Sequence, residues 1–186
     1  MATSERRLDL LKTLGDNTRY AIYLELAPCP RPLATASCPS SRSRARTSVT
    51  GAMVAASTLT LGMLPGVKRP GIAITIPTMH GMCCTLDVGA NLNPSAFELF
   101  QYAIMADVFA RNIIRKKRPS IGLLNIGEEE SKGTEVLKEA YKLIRDSSLN
   151  FIGNIEGRDF FTGKADCIIC DGFVGNVCLK MIESIL

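Results

Sequence analysis

The chain has 186 residues, 46% of them hydrophobic, with no tryptophan and a formal net charge of +4. That length and apolar content suit one ordinary domain with a sizeable core, and no run approaches the ~18 consecutive apolar residues that argue a membrane-spanning helix. The charge says nothing for an acidic partner of the larger part of the chain: Arg6, Arg7, Lys12, Arg19, Arg31, Arg42, Arg44 and Arg46 against Glu5, Asp9, Asp16 and Glu25 place the whole excess in residues 1–48, and residues 49–186 balance.

In chain order, residues 5–27 read as two helices. Leu8, Leu11 and Leu14 share a face, Gly15 stops the first helix, and Asp16 or Asn17 caps a second that bears Ala21, Leu24 and Ala27. Residues 28–48 are rich in Pro, Ser and Arg and keep no period of 2 or 3.6, which marks a linker, or a junction between two unrelated pieces of sequence. A single continuous reading frame of homogeneous codon usage across it would sink the junction reading.

From residue 49 onward strands and helices alternate. A helix of small and apolar residues is expected over 50–62, and strands over 71–76 and 82–88, paired through a turn at 78–81. A long helix runs from Asn93 or Ser95 to about Arg115, where the basic residues 115–118 suit its dipole. Strands follow at 120–125, 150–155 and 166–170, and helices at 134–147 and 174–186. The order predicts an α/β fold with a mainly parallel, three-layer sheet.

Seven cysteines is an odd count, and no signal-peptide pattern of basic start, apolar stretch and small-residue cleavage site is present, so a reducing cytoplasm is the expected compartment. Cys167 and Cys170 form a CxxC, but in the apolar run CIIC residues three apart on a strand face opposite sides. With no second CxxC and His80 as the single histidine, a four-ligand metal site lacks a donor set. These thiols, with Cys83 and Cys84, read as buried small apolar side chains.

Three glycine-containing loops stand where a strand's carboxyl end meets a helix: LDVGAN (86–91), LLNIGEEESKGTE (123–135) and CDGFVGN (170–176). In an open α/β sheet ligands bind at that edge. In the third, Gly172 permits a sharp turn, and Gly175 and Asn176 begin a helix whose free N–H groups favour phosphate or carboxylate; Asp171 caps that helix or orients a cation. In the second, Lys132 can neutralise an anion and the oxyanion formed at an attacked carbonyl, or else it pairs with Glu128 or Glu129, while Glu128, Glu129 and Glu130 face solvent. The first adds Asp87 and Asn91, the latter as a polar contact or a helix cap.

Taken together, TGAMVAAS, RPGIAITIPT, LDVGAN, LLNIGEEESKGTE, NFIGNIEGRD and ADCIICDGFVGNVCLK closely resemble the central part of the bacterial phosphate acyltransferase (PlsX) family of phospholipid synthesis, over about residues 49–186. The resemblance implies a phosphotransacetylase- and isocitrate-dehydrogenase-like fold and transfer of a fatty acyl chain from acyl carrier protein to inorganic phosphate. It implies a homodimer, a cytoplasmic place with peripheral membrane contact, no cofactor and no nucleic acid. Phosphate is itself the nucleophile, so no Ser–His or Cys–His pair is required. On this reading Lys132 is the catalytic cation, Gly172, Gly175 and Asn176 contact anion or substrate, Asn91 and Asn125 position polar groups, and Thr50 and Gly51 belong to the substrate site.

The chain also departs from the family. The Asp- and Gly-rich opening units are missing, Ser48 and Val49 stand where an Ala-Gly-Asn run leads into Thr-Gly, and the chain stops soon after VCLK, so an inert relic is one alternative. Residues 5–35, with the phrase LGDNTRYAIYLEL (14–26), resemble the opening of a bacterial winged-helix regulator, but a reader helix and a dense basic face are lacking. A dehydrogenase of similar architecture would need a G-x-G-x-x-G, which is absent.

Overall fold

The computed structural model describes residues 19–22, 54–55, 58–59 and 62–185, the side chains of 19–22 and 185 excepted. Among the described residues six strands form one sheet: β1 (Arg19–Ile22), β2 (Gly71–Thr78), β3 (Gly81–Leu86), β4 (Ile121–Leu124), β5 (Phe151–Ile155) and β6 (Cys167–Ile169). Their order is β1-β2-β3-β6-β4-β5. The neighbours β3, β6, β4 and β5 run parallel, while β2 lies antiparallel to β3 and β1 to β2. The hairpin expected at 78–81 is present: Thr78 pairs with Gly81, whose φ of 119° is a conformation that suits glycine.

Among the described residues, the helices that pack on the sheet are α1 (Ala96–Phe109), α2 (Glu135–Arg145) and α3 (Gly172–Ile185). Ser95 starts α1 through a capping box, its hydroxyl accepting from the Glu98 N–H while the Glu98 carboxylate accepts from the Ser95 N–H. We expect Ser95→Ala to cost about 1 kcal/mol, read from the urea midpoint; an unchanged midpoint would show the box contributes nothing. The α-helical part of this segment ends earlier than expected. A π turn (Ala110–Ile114) carries the chain to Arg115, which closes the helix at φ 68°. The Lys116 N–H donates to the Ala110 carbonyl at 3.1 Å, while its ammonium pairs with Asp166 at 2.8 Å.

Strand alternation divides the core into two faces. Leu86, Ile121, Leu123, Cys167 and Ile169 pack with Leu99, Tyr102 and Ala106 of α1 and Ala140 and Ile144 of α2. Ile72, Ile74, Ile76, Cys83, Ile155, Ile168 and Cys170 pack on the other side with Leu179 of α3 and Phe160 of a 3-10 helix (Gly157–Phe161). The result is the expected three-layer α/β fold. Cys167 and Cys170 fall on opposite faces, and burial pushes the Cys83 thiol up to about 12. No cluster of metal-ligating side chains occurs among the described residues.

The N-terminal expectation needs one correction. Arg19–Ile22, read as part of a helix, is a strand in register with Gly71 to Ile74 of β2. The free N–H and C=O row along the outer edge of β2 supplies ladder partners that outweigh a weak helical period in a segment containing Tyr20 and Ile22. The remaining expectations for residues 1–27 and 28–48 lie outside the described residues. Of the helix expected over 50–62, Val54 and Ala55 are helical, and Thr58 and Leu59 adopt the wider π form.

From β4 the chain moves outward through α2 to β5. It returns across the opposite face by the 3-10 helix to insert β6 between β3 and β4. Because β3, β6 and β4 are parallel neighbours, their carboxyl ends, and the three glycine-containing loops, emerge side by side at one edge.

Candidate active site

The first loop wraps around an internal carboxylate. Asp87 is fully buried; its Oδ1 accepts the N–H groups of Ile72 (2.9 Å), Gly89 (3.1 Å) and Ala90 (2.9 Å), and its Oδ2 accepts the Asn91 N–H (2.8 Å) and Nδ2 (3.3 Å). Burial pushes the carboxyl above its ordinary range, and the four backbone amides pull it back. Asn91 points inward as well, its Nδ2 lying 2.6 Å from both the Pro70 carbonyl and the Tyr102 hydroxyl. It is therefore a brace for the loop, and the cap of α1 is Ser95 instead.

The third loop presses against the first. The Gly172 N–H donates to the Asn91 carbonyl at 2.8 Å, and the Phe173 and Val174 N–H groups donate to Asp171 Oδ1 at 2.9 and 2.8 Å. The Gly175 N–H donates to the Asp171 carbonyl at 2.9 Å. The leading amides of α3, expected to be free for an anion, are thus satisfied within the protein, and Asp171 is the cap that one of its two readings foresaw. Gly172 and Gly175 are required by proximity. A Cβ on Gly172 would lie 2.7 Å from the Asn91 carbonyl oxygen, and one on Gly175 would collide with that of Asp87. Asn176 is exposed over the first loop, 3.7 Å from where a Cβ of Gly89 would stand.

The second loop holds the cation. Asn125 Nδ2 donates to the Lys132 carbonyl at 3.0 Å, and its Oδ1 accepts the Ile126 N–H at 2.8 Å. The Lys132 N–H donates to the Glu129 carbonyl at 3.1 Å, and Asn154 Nδ2 donates to that same oxygen at 2.9 Å. The acidic run is exposed as expected, but two of its members are paired: Glu128 with Lys164 (2.6 Å) and Arg158 (3.8 Å), Glu130 with Arg145 (3.0 Å). Lys132 is exposed and its ammonium has no ion pair among the described residues, so the alternative of a Lys132–Glu128 or Lys132–Glu129 pair is not what the loop adopts. Its stem lies along Gly127, where a Cβ would stand 3.0 Å from Lys132 Cγ.

Residues 44–186 match the profile of the family described as fatty acid synthesis protein. The chain belongs to that family, the family of the bacterial phosphate acyltransferases. It is 50% identical over 137 residues to the phosphate acyltransferase of Acidobacterium capsulatum, covering 74% of this chain and 41% of that protein. Against the phosphate acyltransferase of Shouchella clausii it is 52% identical over 135 residues, 72% of this chain and 41% of that one. The chain therefore spans about two fifths of the length of these relatives. Among solved structures, the EutD phosphotransacetylase from Staphylococcus aureus superposes with a TM-score of 0.57 at 15% identity over 70% of this chain and 46% of that one, a likeness of fold.

Within this phosphate acyltransferase family member, the sheet edge brings Lys132 and Asn125 of the second loop beside Asn176 in the opening turns of α3, with Asn125 turned to the loop itself and Lys132 and Asn176 exposed. Thr50 and Gly51 lie outside the described residues. Among the described residues no helix is long and apolar enough to cross a membrane. Asn154, which bonds this loop from β5, is not among the residues the sequence singles out. Its signal was a polar side chain inside an otherwise apolar strand, in the phrase NFIGNIEGRD, and it is 4% exposed.

Proposed function

We propose that this chain carries part of the site of an acyltransferase that moves a fatty acyl group from acyl carrier protein to inorganic phosphate, giving an acyl phosphate for phospholipid synthesis. A phosphate oxygen attacks the thioester carbonyl, the carbonyl becomes a tetrahedral oxyanion, and collapse breaks the C–S bond. The sulfur leaves as thiolate, a good leaving group because its conjugate acid has a pKa of about 8.5. The nucleophile needs no side-chain base beyond phosphate itself, so the work of the protein is to hold two anionic partners and the developing oxyanion.

The observation that supports this reading is the Lys132 ammonium, without an ion pair among the described residues, on a loop whose acids Glu128 and Glu130 are already neutralised by Lys164, Arg158 and Arg145. Asn176, exposed in the opening turns of α3, is the second polar contact. The N–H groups of Gly172 and Gly175 are bonded to the Asn91 and Asp171 carbonyls, so the reading rests on side chains. The homodimer, the cytoplasmic place and the peripheral membrane contact implied by the resemblance belong to the same proposal.

The test is phosphate-dependent release of free thiol from a long-chain acyl carrier protein. Lys132→Ala is expected to lower the rate by about 10²–10³-fold, the cost of removing one preorganised oxyanion donor, while the urea midpoint stays at the wild-type value because the side chain is exposed. Equal rates in the two proteins would remove Lys132 from the chemistry.

A further inference from the structure

Residue 132 is held from both sides by asparagines on neighbouring parallel strands. Asn125, just past β4, takes the Lys132 carbonyl through Nδ2. Asn154, on β5, takes the Glu129 carbonyl through Nδ2, and this is the oxygen on which the Lys132 N–H turns. Both lone pairs of that carbonyl are thereby used, so the turn from Glu129 to Lys132 has little freedom. Asn154 is itself a costly residue for this position. Its Oδ1 is buried and accepts no hydrogen bond from any of the described residues, so a buried acceptor goes unmatched there where an apolar side chain would leave none. Stability alone does not explain an asparagine there, and strain of this kind is kept where it serves a site.

We infer that Asn154 is a positioning residue for Lys132: by fixing the Glu129 carbonyl it sets where the Lys132 ammonium stands at the carboxyl edge of the sheet. The inference rests on the acyl-transfer reading for its purpose, but its geometry can be read without activity. Displacing a charged group by about 1 Å costs on the order of 10² in rate, so a clamp at this distance from the cation matters.

The experiment uses the whole chain, Asn154→Asp and Asn154→Leu, with two readouts: solvent exchange of the Lys132 amide, corrected for its intrinsic pH dependence, and its chemical-shift response to inorganic phosphate. The carboxylate in N154D keeps the shape but cannot donate, whereas its protonated form can; N154L has no donor at any pH and removes the unmatched oxygen. At pH 7.5 both variants are expected to exchange the Lys132 amide about tenfold faster and bind phosphate about tenfold more weakly than wild type. As the pH falls through the titration of the new carboxyl, N154D returns towards wild type at the same pH and N154L does not. N154L is expected to unfold at a urea concentration no lower than wild type, which separates positioning from stability. If N154L and N154D keep wild-type exchange and phosphate response, the inference is overturned and the acyl-transfer reading stands. If wild type shows no response to phosphate while the exchange results hold, the positioning of Lys132 stands and the acyl-transfer reading fails.

Discussion

Asp87→Ala is expected to cost about 3–5 kcal/mol, since removing the acceptor leaves several N–H donors unsatisfied at about 1–3 kcal/mol for each that is buried, a large fraction of the margin by which a domain stays folded. The reason lies in the donor count. Four backbone N–H groups, from Ile72, Gly89, Ala90 and Asn91, together with Asn91 Nδ2, converge on one fully buried carboxylate. Alanine offers none of them an acceptor, and the Ile72 and Asn91 donors are buried, while those of Gly89 and Ala90 lie nearer the surface. Asp87→Asn separates charge from shape. Whichever way its amide turns, an NH₂ group faces at least one N–H donor, so a loss of about 2–3 kcal/mol is expected even though the volume is unchanged. Urea denaturation followed by circular dichroism measures both. A loss below 1 kcal/mol for D87A would mean that the loop rearranges to find other acceptors, and the account of LDVGAN as a shell around Asp87 would be wrong.

Gly175→Ala is the second large effect. In an ordinary helix the change gains up to about 1 kcal/mol, because alanine is the better helix former. Here the new Cβ would collide with the Asp87 carbonyl oxygen and stand 2.8 Å from Cys170 Sγ. Neither neighbour can give way. The Asp87 N–H is bonded to the Cys170 carbonyl at 3.0 Å, and the Cys170 N–H to the Leu86 carbonyl at 2.8 Å, so both belong to the extension of the β3–β6 ladder. The helix must lift from the sheet instead, parting Leu179 from its cluster and breaking the Gly172 N–H bond to Asn91. A net loss of about 3 kcal/mol or more is expected, at the upper end of overpacking effects. Gly157→Ala is the matched control, since a Cβ there meets nothing within 4 Å, and its effect should stay within about 0.5 kcal/mol. Equal unfolding midpoints for G175A and G157A would contradict the packing of α3 described here.

Both predictions give the three motifs a different division of labour from the one their residue types suggested. LDVGAN and the start of CDGFVGN form a rigid floor: Asp87 and Asn91 face inward, and Gly172 and Gly175 let α3 approach that floor closely. Of the proposed site residues that are described, Lys132 and Asn176 are the exposed ones. Substitutions in the floor should therefore abolish folding and activity together, and those at Lys132 activity alone.

What the sequence by itself determined was local. Period-2 and period-3.6 runs located β2 to β6 and the three helices, because a strand or helix must bury one face whatever its neighbours are. Ser95 and Thr134 started helices through hydroxyls that reach an N–H three residues on, at Glu98 and Leu137. The glycine-containing loops were correctly placed at strand ends, and the order of the motifs was enough to show the family. The tertiary structure decided everything that depends on a partner distant along the chain. The insertion of β6 between β3 and β4 set the three loops side by side, and the free edge of β2 turned Arg19–Ile22 into a strand. Asp87 became a hub through Ile72, 15 residues away, and Asn154 became a clamp through Glu129, 25 residues away. Nothing in a sequence window distinguishes a glycine that frees an N–H for phosphate from one that clears space for a carbonyl. The difference at Gly172 and Gly175 lies in which backbone is 3 Å away, and folding alone brings that backbone there.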